Sequence, residues 1–429
     1  MRLLFLNILL FIGCSVFGQS HYISLEESKK AALDYSNAIK NGQLQIQSSE
    51  LEKKSAASNY YPSVSATGVG VYGFRDFIGA IPSFLDKGIN NFYFGGVTAM
   101  EPIYAGGKIN TANKLAQLQI EVRKIMAKQS ADSVLLQTAQ KYWSIVQLQE
   151  KYKTLLANEI LLNSILKQQQ DMLASGLIAR NDLLKVKVKR SQLLLDKSRL
   201  ENARKVAIFD FTIYIGIPYD SLLVAKDTLG DPPSISEQFT SPETALQQNN
   251  SYQLLKKNSE AEKLQTKLSK ADYLPSVSVG VSANDFGSFG NSAIGNKFMP
   301  MALGTVSIPI SDALWGGNKF KVQQKKINEI IAVNNLADGE RQLQVGILKK
   351  WYDLSDSYKE IDFAHENMKE AIENLKVSQD NYASGLSDIT DLLNAQASYQ
   401  QASGDLVNAF ANYHVKYVEY MYIIGKLQN

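Results

Sequence analysis

The sequence predicts a mainly α-helical protein with a small β part, made of two copies of one helix–strand–strand–long helix–helix unit. An internal repeat indicates the duplication: the segment Ala174–Leu177 recurs as Ala383–Leu386, and five further matches keep the same order along the chain. Proline breaks helices, and none of the ten prolines lies between Pro102 and Pro218 or after Pro309. These two proline-free stretches predict the two long helices.

The repeat divides the chain into four predicted segments. A signal peptide covers 1–18, the first repeat 19–217, a linker or equatorial segment 218–241 and the second repeat 242–429. In each repeat the long helix ends at a Ser-Gly-Leu tip, because glycine suits the left-handed residue that ends a helix. In the first repeat we predict strands at about 62–73 and 92–103, a long helix at about 107–175 and a return helix at about 180–216. In the second repeat we predict strands at about 275–284 and 301–310, a long helix at about 317–384 and a return helix at about 388–425.

The first residues have the pattern of a targeting signal. Arg2 precedes the apolar run Leu3–Phe11, and the small residues Val16 and Gly18 suit a cleavage site after position 18. A signal peptide predicts that the mature protein is exported from the cytoplasm. In the alternative interpretation the run IGC is a lipobox, and Cys14 becomes a lipidated N-terminal residue.

The composition argues against several classes of function. The 45 Lys and Arg residues nearly balance the 42 Asp and Glu residues, whereas a nucleic-acid-binding protein needs a concentrated basic surface. The single Cys cannot form an internal disulfide, and the three histidines, His21, His365 and His414, do not have the spacing of metal ligands. No set of residues suggests a catalytic site, so we expect neither a cofactor nor an enzyme.

The predicted strands suit a membrane wall. Val277, Val279 and Val281 alternate with serine and glycine, which gives one apolar face and one small polar face. The loops at about 73–91 and 284–299 hold several phenylalanines, as expected near a membrane interface. Four strands cannot enclose a lumen, and an open edge in lipid leaves backbone groups unpaired. We therefore expect several chains to share one barrel.

The motifs resemble those of the TolC-like outer-membrane efflux family over essentially the whole mature chain. They are the strand entries, the Gly-Gly pairs at 106–107 and 316–317, and the tip sequence at 384–396. The resemblance implies a homotrimer with a shared 12-stranded β-barrel in the bacterial outer membrane and a 12-helix tunnel across the periplasm. It also implies a passive exit duct for efflux or type I secretion, with a periplasmic adaptor (membrane fusion) protein and an inner-membrane pump as partners.

The resemblance implies a pore gate at the periplasmic end. Asp391 would face the pore axis, where three copies would form a carboxylate ring that attracts cations, and Asn394 would form a neutral ring nearby. Tyr382 would bond to Asp182 and hold the tunnel shut, although Ser387 stands where the best-known family member has an arginine. Alternatively, Asp391 is only a helix-end charge that offsets the helix dipole, and Tyr382 is an exposed helix residue.

The two helix tips are the candidate contact with the adaptor. Gly176 and Leu177 form the first tip and Gly385 and Leu386 the second, where an exposed leucine would meet the adaptor. The alternative function is a periplasmic coiled-coil scaffold or adaptor protein without a pore, which would have no use for duplicated strand pairs. Drug, metal and protein cargo are not distinguished by the sequence.

Overall fold

The computed structural model describes residues 22–72, 91–232, 234–287 and 297–427. The predicted signal peptide, the alternative lipidation site Cys14 and most residues of the two strand-to-strand loops lie outside this part of the chain. The described chain is mainly helical with a small β part, as predicted. No helix within the described residues is both long enough and apolar enough to cross a membrane.

Each repeat contains two helices, two strands, a long helix and a return helix in this order, and the second repeat has one more short helix before its long helix. The first repeat and the segment after it contain β1 (Tyr22–Ile23), α1 (Leu25–Tyr35), α2 (Asn37–Ser58), β2 (Ser63–Tyr72), β3 (Asn91–Ala105), α3 (Lys108–Ala174), α4 (Arg180–Ile215) and β4 (Val224–Ala225). The remainder contains a 3-10 turn (Ile235–Gln238), α5 (Pro242–Gln248), α6 (Asn250–Ala271), β5 (Ser276–Gly287), β6 (Lys297–Ser307), α7 (Ile310–Trp315), α8 (Gly317–Ala383) and α9 (Ile389–Ile423).

The chain divides into two compact units, and each unit contains parts of both repeats. The sheet unit consists of Asn41–Ala127 and Asn250–Arg341. The tip unit consists of Met1–Lys40, Lys128–Asn249 and Gln342–Asn429.

The sheet unit contains one antiparallel sheet with the strand order β2-β3-β5-β6. β3 pairs with β5, so a single sheet joins the two repeats. The register shifts between Pro102 and Tyr104, because proline has no N–H for the ladder and is tolerated at a bulge. Gly96 lies opposite Asn284, and a Cβ at Gly96 would fall on the Asn284 side chain. A glycine is therefore required where this amide lies across the sheet.

The structure corrects one predicted strand. The apolar alternation predicts a strand at about 301–310, but β6 spans Lys297–Ser307 and α7 begins at Ile310. Pro309 lies between them and cannot donate to a strand ladder, whereas its fixed φ is compatible with the start of a helix. The alternation of apolar residues beyond Ser307 thus does not extend the strand.

α8 continues without a break through two internal glycines, Gly339 and Gly346. Glycine in a helix costs about 1 kcal/mol relative to alanine. At Gly339 a Cβ would fall on Cδ1 of Leu255 in α6. The missing side chain therefore permits a close contact between α6 and α8 in the sheet unit.

The core of the tip unit ties α3 to two short strands. β1 and β4 pair in parallel through two residues each. Tyr142 of α3 is fully buried, and its hydroxyl lies within hydrogen-bond distance of the Asp227 carboxylate and of the carbonyl oxygen of Ile23. Burial and the Asp227 carboxylate both raise the pKa of Tyr142. The same carboxylate accepts from the backbone N–H of Leu25 at 3.0 Å, so part of the predicted linker packs into the core.

Candidate functional site

The first helix tip ends α3 with a glycine in the left-handed conformation. Gly176 has φ +74°, and its N–H donates to the carbonyl of Leu173 at 3.0 Å. The N–H of Leu177 donates to the carbonyl of Met172 at 2.9 Å. These two bonds form the Schellman motif, which satisfies the last carbonyls of a helix. The motif leaves the Leu177 side chain 71% exposed.

The second tip repeats this geometry at the end of α8. Gly385 has φ +73°, its N–H donates to the carbonyl of Tyr382 at 3.1 Å, and the N–H of Leu386 donates to that of Asn381 at 2.8 Å. Leu386 is 78% exposed. The four predicted tip residues are thus two capped turns that each present one leucine to solvent.

α9 begins with a capped first turn that carries Asp391. The carboxylate of Asp388 accepts from the N–H groups of Thr390, at 2.7 Å, and of Asp391, at 3.1 Å. The N–H groups of Asp391 and Thr390 hold the pKa of Asp388 below its usual range. Asp391 and Asn394, one turn apart, are both exposed, whereas Leu392 between them is buried. Asp388 thus caps the helix, and Asp391 and Asn394 lie on its exposed face.

Asp182 lies in the first turn of α4 and pairs with a lysine. The Lys185 amine donates to Asp182 at 3.2 Å and to the hydroxyl of Thr390 at 3.1 Å. Lys185 therefore bridges the start of the return helix in one repeat to the start of the return helix in the other. This bridge could not be predicted from the sequence, since only the fold brings positions 205 residues apart into contact.

Tyr382 bonds within the chain to Gln169 and not to Asp182. Nε2 of Gln169, in α3, donates to the Tyr382 hydroxyl oxygen at 2.6 Å, and this hydroxyl also lies 3.7 Å from Sδ of Met172. The contact joins α3 to α8 near both tips. Gln169 was not predicted, because it stands in a run of three glutamines with nothing in the sequence to distinguish them.

The arrangement at the tips contains structural hydrogen bonds and exposed acidic side chains. Among the described residues, no three His, Cys, Asp or Glu side chains converge in a way that could hold a metal ion. The chemistry available at the tips is therefore hydrogen bonding, fixed charge and apolar contact.

A comparison with family models finds a likeness in the second repeat. Residues 241–426, the second repeat, match the model described as outer membrane efflux protein. Over this segment, the chain is similar to the outer membrane efflux protein family. No curated protein matches the sequence.

Solved structures extend the likeness in fold to both repeats. The outer membrane protein VceC of Vibrio cholerae aligns with a TM-score of 0.79 and 13% identity, over 94% of this chain and 96% of that one. The Campylobacter jejuni CmeC outer membrane channel aligns with a TM-score of 0.77 and 15% identity, over 94% and 86%. The Neisseria gonorrhoeae MtrE outer membrane channel, in its open state, aligns with a TM-score of 0.77 and 15% identity, over 94% and 89%. The chain therefore has the fold of these solved outer-membrane proteins.

Proposed function

We propose that the chain is one subunit of a homotrimeric, passive exit duct that works with a periplasmic adaptor and an inner-membrane pump in efflux or type I secretion. The match of the second repeat to the model of outer membrane efflux proteins supports efflux at the outer membrane, and the trimer, the shared barrel and the partners are our additions. The observation that carries the proposal is the four-stranded sheet, which exposes apolar side chains and has two outer strands, β2 and β6, that each pair on one side only among the described strands.

The faces of β5 have the polarity of a membrane strand. Val279 and Val281 are 44% and 61% exposed, whereas Ser282 and Asn284, on the opposite face, are buried. Nδ2 of Asn284 donates to Oγ of Ser282 at 3.0 Å. A sheet with one face in water normally buries its valines and exposes its serines. An outer-membrane barrel turns its apolar side chains toward lipid, so this pattern supports a position in the membrane.

The open edges of the sheet support assembly. In lipid, each unpaired backbone group costs several kcal/mol, and four strands are too few to enclose a lumen. Pairing β2 of one copy with β6 of the next satisfies both edges. Three copies would then supply the 12 strands that the family resemblance implies.

α4 carries an exposed apolar stripe, which is the first of two surfaces suited to another copy. Successive residues of this stripe are 4, 7, 11, 3 and 4 positions apart in the sequence. These spacings place them on one face of a helix with 3.6 residues per turn. The α4 stripe consists of Leu184, Val188, Leu195, Val206, Phe209 and Ile213, all between 45% and 67% exposed. An exposed apolar surface of this kind marks an interaction site.

α8 supplies a second stripe with the opposite charge around it. The α8 stripe consists of Val345, Leu348, Tyr352 and Phe363, which are exposed and lie on one helix face. α4 has nine Lys and Arg residues against four Asp and Glu, whereas residues 342–383 of α8 have five Lys against eight Asp and Glu. Complementary charge favours one orientation of two surfaces. We therefore place α4 of one copy against α8 of the next.

The tips fit the remaining roles in the proposed duct. Leu177 and Leu386 are the exposed apolar contacts for the adaptor, at the ends of rigid, capped helices. Asp391 and Asn394 lie on an exposed face of α9, where three copies would bring them together at the pore axis. Lys185, close to Asp182, supplies a positive charge that would moderate the negative ring.

Planar-bilayer recording of the purified protein tests the duct. We expect stepwise, cation-selective conductance, and Asp391→Asn should reduce the selectivity for cations because it removes three charges from the trimer. Asp388→Asn is the matched control, since it removes a nearby charge and keeps an acceptor for the helix cap. Absence of conductance in the wild-type protein would favour the scaffold alternative. Unchanged selectivity in Asp391→Asn would mean that Asp391 acts only as a charge at the helix end and not as part of a pore ring.

A further inference from the structure

The half of α3 near the tip buries two amide side chains on one face. Asn158 and Gln169 have no exposed surface, and they lie eleven residues, about three helical turns, apart. Leu162 and Ile165 lie between them on the same face and are also buried. We call this face the tip seam, and it is apolar except for the two amides.

Each amide of the tip seam is only half satisfied. Nδ2 of Asn158 donates to the carbonyl oxygen of Thr154 at 3.1 Å, and Nε2 of Gln169 donates to the Tyr382 hydroxyl at 2.6 Å. Oδ1 of Asn158 and Oε1 of Gln169 are buried and have no hydrogen-bond partner among the described residues. If the positions of the amide oxygen and nitrogen are exchanged, the N–H groups are left without an acceptor instead. Each side chain therefore has a buried polar group without a partner in either orientation of the amide.

The half of α3 away from the tip differs in this respect. Thr138 is fully buried there, and its hydroxyl donates to the carbonyl of Val134 at 2.7 Å. Tyr142, also fully buried, contacts Asp227 through its hydroxyl. Within the described part of α3, the buried side-chain atoms that have no partner are those of the tip seam. The polar defects are thus confined to the end of the helix that bears the tip.

A buried polar group without a partner penalises only the state in which it is buried, because water satisfies it once the surface opens. We propose that the unpaired oxygen of Gln169 destabilises the closed tip seam and so lowers the free energy needed to open it. The hydrogen bond from Gln169 to Tyr382 stabilises the closed seam and partly offsets this effect. Asn158 adds a second defect three turns away. The inference rests on the proposed function, since parting α3 from α8 at the tip would be the opening of the duct.

Two substitutions have opposite expected effects. Gln169→Leu removes the unpaired oxygen and places an apolar side chain in the buried site, so the seam should open about tenfold less often. Tyr382→Phe leaves the Gln169 amide without its bond, so the seam should open about tenfold more often. If Gln169 and Tyr382 were a simple latch, both substitutions would increase opening. The sign of the Gln169→Leu effect therefore decides between the two accounts.

Hydrogen exchange of the full-length protein, read by mass spectrometry over residues 155–175, measures the opening of the seam. We expect about tenfold slower exchange in Gln169→Leu and about tenfold faster exchange in Tyr382→Phe. The double variant should exchange at the same rate as Gln169→Leu, because the Tyr382 hydroxyl stabilises the seam only by bonding to the Gln169 amide, which that substitution has already removed. The control is Gln170→Leu, an exposed neighbour in the same helix turn, which should leave exchange unchanged.

Faster exchange in Gln169→Leu, or an effect equal to that of Gln170→Leu, would overturn the proposal. Planar-bilayer recording of the same variants separates this failure from a failure of the proposed function. If the variants conduct ions and all exchange at the wild-type rate, the proposal about the tip seam is rejected and the proposed duct is retained. The expected exchange pattern without any conductance would keep the seam and reject the duct.

Discussion

A charge placed on either face of β2 should distinguish a membrane sheet from a soluble one. Ala66 and Thr67 are adjacent and exposed, and they point to opposite faces. Ala66 lies in an apolar row with Val97 and Ala283 across the sheet, whereas Thr67 lies opposite Gly96, on the face that holds the buried Asn284. Ala66→Arg would place a guanidinium in lipid, and Thr67→Arg would place it toward the lumen.

The size of the effect follows from the number of copies. An arginine on the lipid face of an outer-membrane barrel costs up to about 2–4 kcal/mol at the bilayer midplane and about 0–1 kcal/mol near the interface. A trimer carries three copies, so Ala66→Arg should destabilise the barrel by several kcal/mol, up to about 6–12 kcal/mol at the midplane. Each 1.4 kcal/mol is a tenfold change in the equilibrium. Thr67→Arg should cost much less, because its side chain can remain hydrated.

Urea titration of protein folded into lipid vesicles measures this difference. We expect a lower unfolding midpoint, or no insertion, for Ala66→Arg and near-wild-type behaviour for Thr67→Arg. Equal loss in the two variants would mean only that the strand is intolerant of bulk. Tolerance of Ala66→Arg with failure of Thr67→Arg would place the apolar face inside a soluble core and refute the proposed orientation of the sheet.

Two further predictions concern the tip unit. Gly216→Ala should lower the melting temperature much more than Gly176→Ala, because both glycines have φ near +75° but only at Gly216 would a Cβ fall on a neighbouring ring, that of Tyr35; equal losses would show that backbone strain alone accounts for the effect. His414 stacks on Trp143 with 3.7 Å between ring centroids, and burial lowers the pKa of His414 from 6.5 to about 4. The unfolded state therefore binds more protons in this range, and the His414 contribution to stability falls as the pH drops from about 6.5 to 4. His414→Phe keeps a ring on Trp143 and should flatten this part of a melting-temperature profile against pH, whereas an unchanged slope would assign the acid sensitivity to other groups.

The fold class could be predicted because two strong signals coincide in this sequence. The absence of proline between Pro102 and Pro218 indicates a long helix, and the recurrence of Ala174–Leu177 at Ala383–Leu386 indicates a second one. Finer boundaries depend on weaker signals. The alternation around Ile308 and Ile310 suggested a longer strand, but local pattern does not reveal where ladder partners end.

The internal contacts of the candidate site were much harder to predict. Gln169 is buried and bonded whereas Gln170, its neighbour, is exposed, and only the packing of α3 on α8 makes that difference. Tyr382 was assigned a bond to Asp182, whereas in this chain it bonds to Gln169 and Asp182 pairs with Lys185. The role of these residues as a pore gate stays a prediction.

The number of chains in the detergent-solubilised protein tests the central claim most directly. Native mass spectrometry after removal of detergent should give a mass three times that of the single chain, because three copies are needed to pair every edge of a four-stranded sheet in a 12-stranded barrel. A stable, water-soluble monomer would contradict the account, since it would show that the open edges and exposed stripes need no second copy.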